Sequence, residues 1–255
     1  MNLDKITVNI RNRTKWEAMD LGITLIRKFY RPIYISWLII TLPVVIILCI
    51  IFPGLCWLPI LILWWLKPFF DRFPLYFLSR MFFGETPHFK KALKELPGFV
   101  FKGLLLDVTI LRLVPWRSFS MPAKLLEGLK FKRRIKRTRE LLKTVRGWSA
   151  VLTIVCLVFE VGLFFSWYFF LYILFMEGII VPADIFIRTD FWKFLLQIFL
   201  YYLSLSIVEP FYVAGGFALY INRRVFLEGW DIELVFRHMR SRLNTGKEKE
   251  QVILQ

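Results

Sequence analysis

The chain has 255 residues, 57% hydrophobic and 18% aromatic, at a mean hydropathy of +0.56, more apolar than a soluble domain needs. Its 35 Lys and Arg against 19 Asp and Glu give a net charge of +16, which points to nucleic acid or to an anionic membrane surface. Concentration of the apolar residues into blocks decides for the membrane. Cys49, Cys56 and Cys156 sit inside those blocks without CxxC spacing, and an odd number excludes a complete disulfide framework, so they read as packing residues.

In chain order, Thr14 with Glu17 fits a capping box opening an amphipathic leader helix. Trp16, Met19, Ile23, Ile26 and Tyr30 form its apolar stripe, and it ends near Tyr30. No cleavable signal peptide is expected, because the first apolar run begins only near Pro32. Residues 32–52 are almost all apolar and long enough to span, with a kink at Pro43. Pro53 and Gly54 turn the chain, and 55–70 returns as a shorter run, marginal for a crossing, with Trp64, Trp65 and Lys67 as interfacial anchors. Residues 32–70 are therefore expected to form a helical hairpin, with a re-entrant loop as the alternative.

Residues 71–147 read as a basic cytoplasmic or interfacial connection. Thr86 and Pro87 open a short helix that Pro97 and Gly98 close. In 99–114, Lys102, Asp107 and Arg112 recur every five residues and point to different sides of a helix, so this segment is interfacial or protein-buried rather than spanning. Ser118 and Ser120 beside Arg117 suggest an exposed turn. A basic helix is expected from Pro122 to Arg146, its stripe being Phe131, Ile135, Thr138, Leu142 and Val145. The run 148–175 carries one charge, Glu160, and is the clearest span; an acidic link, 177–190, leads to a second, 191–221. That last block exceeds a perpendicular crossing, so Pro210 and Gly215-Gly216 are expected to bend it, or part of it to leave the bilayer as an exposed shoulder. Residues 222–255 form an amphipathic C-terminal helix, with Val225, Ile232, Phe236, Met239 and Leu243 as its stripe, and a polar tail.

Basic residues number 7 in the leader, 19 in 67–147 and 7 after 221, while the acidic link holds only Arg188. The positive-inside rule then places all three basic regions in the cytoplasm, which requires an even number of crossings. The expected fold is an all-α polytopic membrane protein of about four transmembrane helices with amphipathic interfacial helices, in a bacterial inner membrane with both termini cytoplasmic.

Glu160, about 12 residues into its span, is an intramembrane functional candidate, though a lone glutamate there can also be neutral or hydrogen-bonded to a neighbouring helix. Glu209, before Pro210, is the second, and the two sharing a proton is conceivable. Lys193 is expected to snorkel outward. His88 and His238 stand alone, without HExxH or a second ligand at metal spacing, and no GxSxG, Walker or GxGxxG pattern occurs. No catalytic residue, metal or cofactor is therefore assigned. Lys130, Lys132, Arg133, Arg134, Lys136 and Arg137, with Arg223 and Arg224, form a candidate lipid or partner surface. Standing directly before a span, the first six suit anionic headgroups better than nucleic acid.

Trp64-Trp65-Leu66-Lys67-Pro68, Asp71-Arg72, Pro74-Leu75 and Ser79-Arg80 resemble a motif of a family of uncharacterised bacterial inner-membrane proteins. Arg117-Ser118-Phe119 with Pro122 and Leu126-Glu127-Gly128, and Ala18 with Asp20-Leu21-Gly22, resemble two more. Pro210, Leu219-Tyr220, Asn222-Arg223-Arg224, Glu228-Gly229 and Asp231-Ile232-Glu233 are similar to the end of the membrane domain that accompanies some glycerophosphoryl diester phosphodiesterases. That likeness concerns the non-catalytic membrane portion and implies no phosphodiester chemistry here. The expected function is a non-enzymatic scaffold or accessory component in envelope assembly or transport. Its partners would be anionic membrane lipids, other membrane proteins or further copies of itself. A small transporter or proton-coupled carrier using Glu160 is the competing expectation.

Overall fold

A computed structural model of the chain describes residues 7–85, 95–100, 103–128, 131–176 and 190–239, apart from positions 54, 56, 96, 234, 235, 237 and 238. Among the described residues the regular structure is helical throughout, without strands. Helices α1 (Lys15–Lys28), α2 (Tyr30–Ile51), α3 (Trp57–Phe70) and α4 (Arg72–Phe82) follow one another closely. A short α5 (Leu104–Val108) and a 3-10 turn (Ile110–Leu113) precede α6 (Arg117–Leu126), α7 (Phe131–Leu142), α8 (Arg146–Met176) and α9 (Asp190–Glu228).

Among the described residues three helices, α2, α8 and α9, are long and apolar enough to cross a membrane. Helix α3 has 14 residues, roughly 21 Å at 1.5 Å per residue, and is short of the ~30 Å hydrocarbon core. It runs almost directly into α4, with a break only at Asp71.

The leader helix begins as its sequence requires: Thr14 accepts from the Glu17 amide and the Glu17 carboxylate accepts from the Thr14 amide. Its buried face, however, follows the large apolar stripe only in part. Of the expected stripe Ile26 is buried and Met19 partly so, but Trp16, Ile23 and Tyr30 are exposed, and Ala18, Gly22 and Leu25 are buried in their place. Helix α1 lies against α9 so closely that a Cβ on Gly22 would stand 2.8 Å from the Gly215 backbone, so small residues, not bulky ones, set the contact.

Helix α9 packs against α1, α2, α3, α4, α6, α7 and α8. Its C-terminal half, far from forming an exposed shoulder, is buried from Tyr212 to Ile221. Tyr212, Val213, Ala214, Phe217, Leu219 and Tyr220 pack into one core with α1, α4 and α6. The helix continues through Pro210 and both glycines, because Gly215 and Gly216 serve close packing rather than a break. A second, smaller core joins Trp37 and Leu48 of α2, Leu63 and Phe70 of α3, and Tyr201 and Leu205 of α9. It is tied by hydrogen bonds from Trp37 to Ser206, at 3.2 Å, and between the Thr41 and Tyr202 hydroxyls, at 2.8 Å.

The long basic helix expected from Pro122 to Arg146 is instead divided. Gly128 takes a positive φ of 64°, a conformation that other residues rarely adopt, and α6 and α7 part there. Of the expected α7 stripe, Val145 is buried but Ile135 is exposed, and the fully buried residue is Leu141. In the last turns of α9 Val225 is buried, while beyond that helix Ile232, Phe236 and Met239 are exposed. The helix expected to open at Thr86 and Pro87, the acidic link up to residue 189, Lys102, Cys56, both histidines and the polar tail lie outside the described residues.

Candidate functional site

The last turn of α3 delivers Lys67 to the inside of the bundle. Expected as an interfacial anchor, it is 5% exposed and forms ion pairs with Glu160 of α8 and, at 3.0 Å, with Glu209 of α9. Glu160 also accepts from the Tyr201 hydroxyl at 3.0 Å. The two sequence-predicted carboxylates are thus brought together through a lysine that bridges them. Trp64 and Trp65, on the same helix, stand further toward the surface.

One turn on, Asp71 occupies the break between α3 and α4, where it receives Arg117 of α6 at 2.8 Å. The same guanidinium nitrogen reaches Glu209 at 3.5 Å and its plane lies 5.3 Å from the Tyr212 ring centre. The turn expected at Arg117, Ser118 and Ser120 to be exposed is therefore buried. The reason is close packing: a Cβ on Gly216 would stand 2.5 Å from the Ser118 backbone, and the Ser118 amide donates to the Tyr212 hydroxyl at 3.1 Å. Gly216 lies seven residues beyond Glu209, two turns along one face, so the bare backbone that admits α6 also carries Arg117 to Glu209.

A cavity of about 240 Å³ adjoins this cluster. Lys67, Arg112, Arg117, Glu160 and Glu209 line it, together with Tyr212, Trp64 and apolar residues of α8. Arg112, from the 3-10 turn, lies 3.9 Å above the Trp64 ring and donates to the Trp64 carbonyl, but among the described residues it meets no carboxylate within ion-pair distance. Its Nε and the Arg117 Nη1 are buried without a hydrogen-bond partner, as is the Asp71 Oδ1. Burial, and next the neighbouring Arg117 charge, pull the Arg112 guanidinium below its ordinary pKa. Burial acts in the same direction on Arg117, yet Tyr212, Asp71 and Glu209 more than offset it and hold that group above its ordinary value.

Two further polar clusters lie in the collar formed by α1, α4, α6, α7 and the second half of α9. Asp107 pairs with Arg72 at 2.6 Å and Lys124 at 2.9 Å, which shows how the charges of 99–114 are accommodated inside protein. Arg137 of α7 pairs with Glu127 at 3.4 Å and with Glu228, and Arg224 pairs with Glu228 at 2.7 Å while lying over Trp230. Arg137 and Arg224, expected at a lipid or partner surface, thus hold helix ends together. Arg133 and Lys136 are exposed, Arg134 and Arg223 are half-buried, and Lys130 and the Lys132 side chain lie outside the described residues.

Sequence reasoning found Glu160 and Glu209 but not Lys67, Asp71, Arg112, Arg117, Tyr201 or Tyr212 as members of one site. A signal was present: Lys67 and Asp71 are four residues apart and share a helical face, and Lys67, Asp71 and Arg117 all stand in segments quoted for the family resemblance. Among the described residues no group of three or more His, Cys, Asp or Glu could hold a metal ion. No family model, curated protein or solved structure matches the chain.

Proposed function

We propose that the protein is a non-enzymatic component of a bacterial inner membrane, an accessory part in envelope assembly or transport, that works by holding a polar group in the charge-lined cavity. It crosses the bilayer four times with both termini cytoplasmic, α3 completing the return of α2 and the break at Asp71 lying within protein. The observation that carries this reading is the convergence of Lys67, Asp71, Arg117, Glu160 and Glu209 from separate elements beside an open volume. Buried ion pairs contribute little net stability compared with well-packed apolar residues, whereas ionisable groups inside a spanning bundle mark binding sites and pathways.

The paired substitution Lys67→Met with Glu160→Gln removes a cation and an anion together. Expressed in the native membrane, it is expected to insert and fold while changing the lipids and proteins that co-purify. An unchanged set of companions, with normal folding, would reduce the cluster to internal glue and end this reading. The crossing number is tested separately by reporters on the two ends, which should answer from the same compartment.

A proton-coupled carrier is the second reading, favoured by the contact of Glu160 with both Tyr201 and Lys67 at the cavity wall. In proteoliposomes it requires proton uptake or release that Glu160→Gln abolishes.

A further inference from the structure

The cavity is not enclosed by charges alone. Leu113, Ile154 and Leu157 line it and are themselves 73%, 58% and 45% exposed, so its mouth lies on the outer surface of α8 and the 3-10 turn. Along α8, Thr153 stands roughly 10 Å and Glu160 roughly 21 Å from Arg146 at 1.5 Å per residue. Arg146 lies 3.9 Å above the Trp116 ring, a cation and an indole together as at a membrane interface. The opening therefore faces sideways, from the headgroup region toward the acyl chains, on a helix whose apolar side chains Val158, Phe159 and Val161 point outward.

At the cavity wall the carboxylates are engaged, Glu160 and Glu209 by Lys67, and behind them Asp71 holds Arg117 through one oxygen while its Oδ1 stays unpartnered. Arg112 and Arg117 line the cavity, and each keeps one nitrogen, the Arg112 Nε and the Arg117 Nη1, buried without a hydrogen-bond partner, so a turn of either side chain toward the cavity would bring an unused donor to an occupant. Two guanidinium groups with unused N–H donors match the tetrahedral oxygens of a phosphate better than any neutral ligand. A volume near 240 Å³ suits a headgroup, not a whole lipid. An anion there would also relieve the mutual repulsion of Arg112 and Arg117.

We propose that this cavity is a headgroup site for an anionic phospholipid, with Arg112 and Arg117 donating to the phosphate oxygens and the acyl chains lying along the exposed face of α8. The proposal rests on the cavity being the working site and names its occupant. It differs from general attraction of lipid to the basic collar, because it predicts one tightly held lipid whose retention depends on buried side chains.

The full-length protein, purified in mild detergent and titrated with phosphatidylglycerol in excess phosphatidylcholine, is to be examined by native mass spectrometry. Wild type is expected to retain one phosphatidylglycerol. Arg112→Gln should weaken that retention by about tenfold, the loss of a charge-assisted contact, with Arg112→Lys intermediate. Arg139→Gln with Lys143→Gln, both exposed, the first on α7 and the second just after it, should leave it in place. Thermal unfolding of each variant shows whether it folds, and if Arg112→Gln does not, the comparison of Arg112→Lys with wild type carries the test. Displacement of the lipid by millimolar inorganic phosphate, or binding of phosphate without lipid, would overturn the lipid assignment in favour of a soluble anion. Equal loss of phosphatidylglycerol from the Arg139/Lys143 variant would assign the lipid to the collar and overturn the cavity site. Absence of a retained lipid from wild type, alongside altered companions of the Lys67/Glu160 variant, would overturn the headgroup site while sparing the proposed function.

Discussion

Helices α8 and α9 are both long and apolar, yet they face different surroundings. The apolar window of α8 is 17% buried in the protein at a mean hydropathy of 2.2, and that of α9 is 44% buried at 1.6. The less hydrophobic helix is the more enclosed one. Hydropathy measures compatibility with oil, and lipid supplies that oil for α8, whereas α9 spends its polar and small residues on neighbouring helices. Ser204, Ser206 and Glu209 bond or pack inward, and Gly215 and Gly216 admit other backbones.

The sharpest way to break this comparison is to strand a charge on the α9 side. Lys67→Met leaves Glu160 and Glu209 without their shared cation and is expected to cost about 3–5 kcal/mol, or to abolish insertion, as measured by unfolding in detergent. The double substitution with Glu160→Gln should recover much of that loss. Next comes Gly216→Ala, whose new methyl meets the Ser118 backbone at 2.5 Å and should destabilise by about 1–3 kcal/mol. The same change at Gly162 of α8, where nothing stands within 4 Å, should be neutral or stabilise by up to about 1 kcal/mol through helix propensity. A difference of the opposite sign would refute the assignment of α8 to lipid. A smaller effect is expected in the collar. Tyr76 donates to Glu95 at 2.8 Å, and Tyr76→Phe should cost about 1 kcal/mol because Arg80 still satisfies that carboxylate. Burial, then the bond to Glu95, pushes the Tyr76 hydroxyl up to about 12. Since the folded chain keeps that proton above the ordinary tyrosine pKa of about 10, the contribution is present below pH 10 and is lost as pH rises toward 12. Phe159→Leu, on the exposed face of α8, should change stability by less than about 0.5 kcal/mol.

What could be read beforehand follows local chemistry. The Thr14–Glu17 capping box and the limits of α2 and α8 depend on residues adjacent in sequence, and their outlines were legible. Lys67 was not, because a lysine after two tryptophans at the end of an apolar run has the same local pattern whether it reaches water or two carboxylates supplied 93 and 142 residues later. Arg117 beside two serines reads as a surface turn until Gly216, 99 residues on, removes the side chain that would hold α6 away. The leader's stripe misled for a related reason: bulky residues on a membrane-side helix gain as much from lipid as from protein, so size does not identify the docking face. Glu160 and Glu209 stood out only because charge is costly in an apolar run, and that cost is independent of partners.

The leader is fastened to the second half of α9. Asn222 accepts from the Arg13 amide at 3.1 Å and donates to the Arg13 carbonyl at 2.9 Å, so one side-chain amide imitates a strand partner for a residue 209 positions earlier. During synthesis α1 emerges well before the surface it docks on, Ala214 to Asn222 of α9. The nascent chain must therefore carry an undocked leader until α9 is in place, and a chain cut short before α9 has nowhere to seat it.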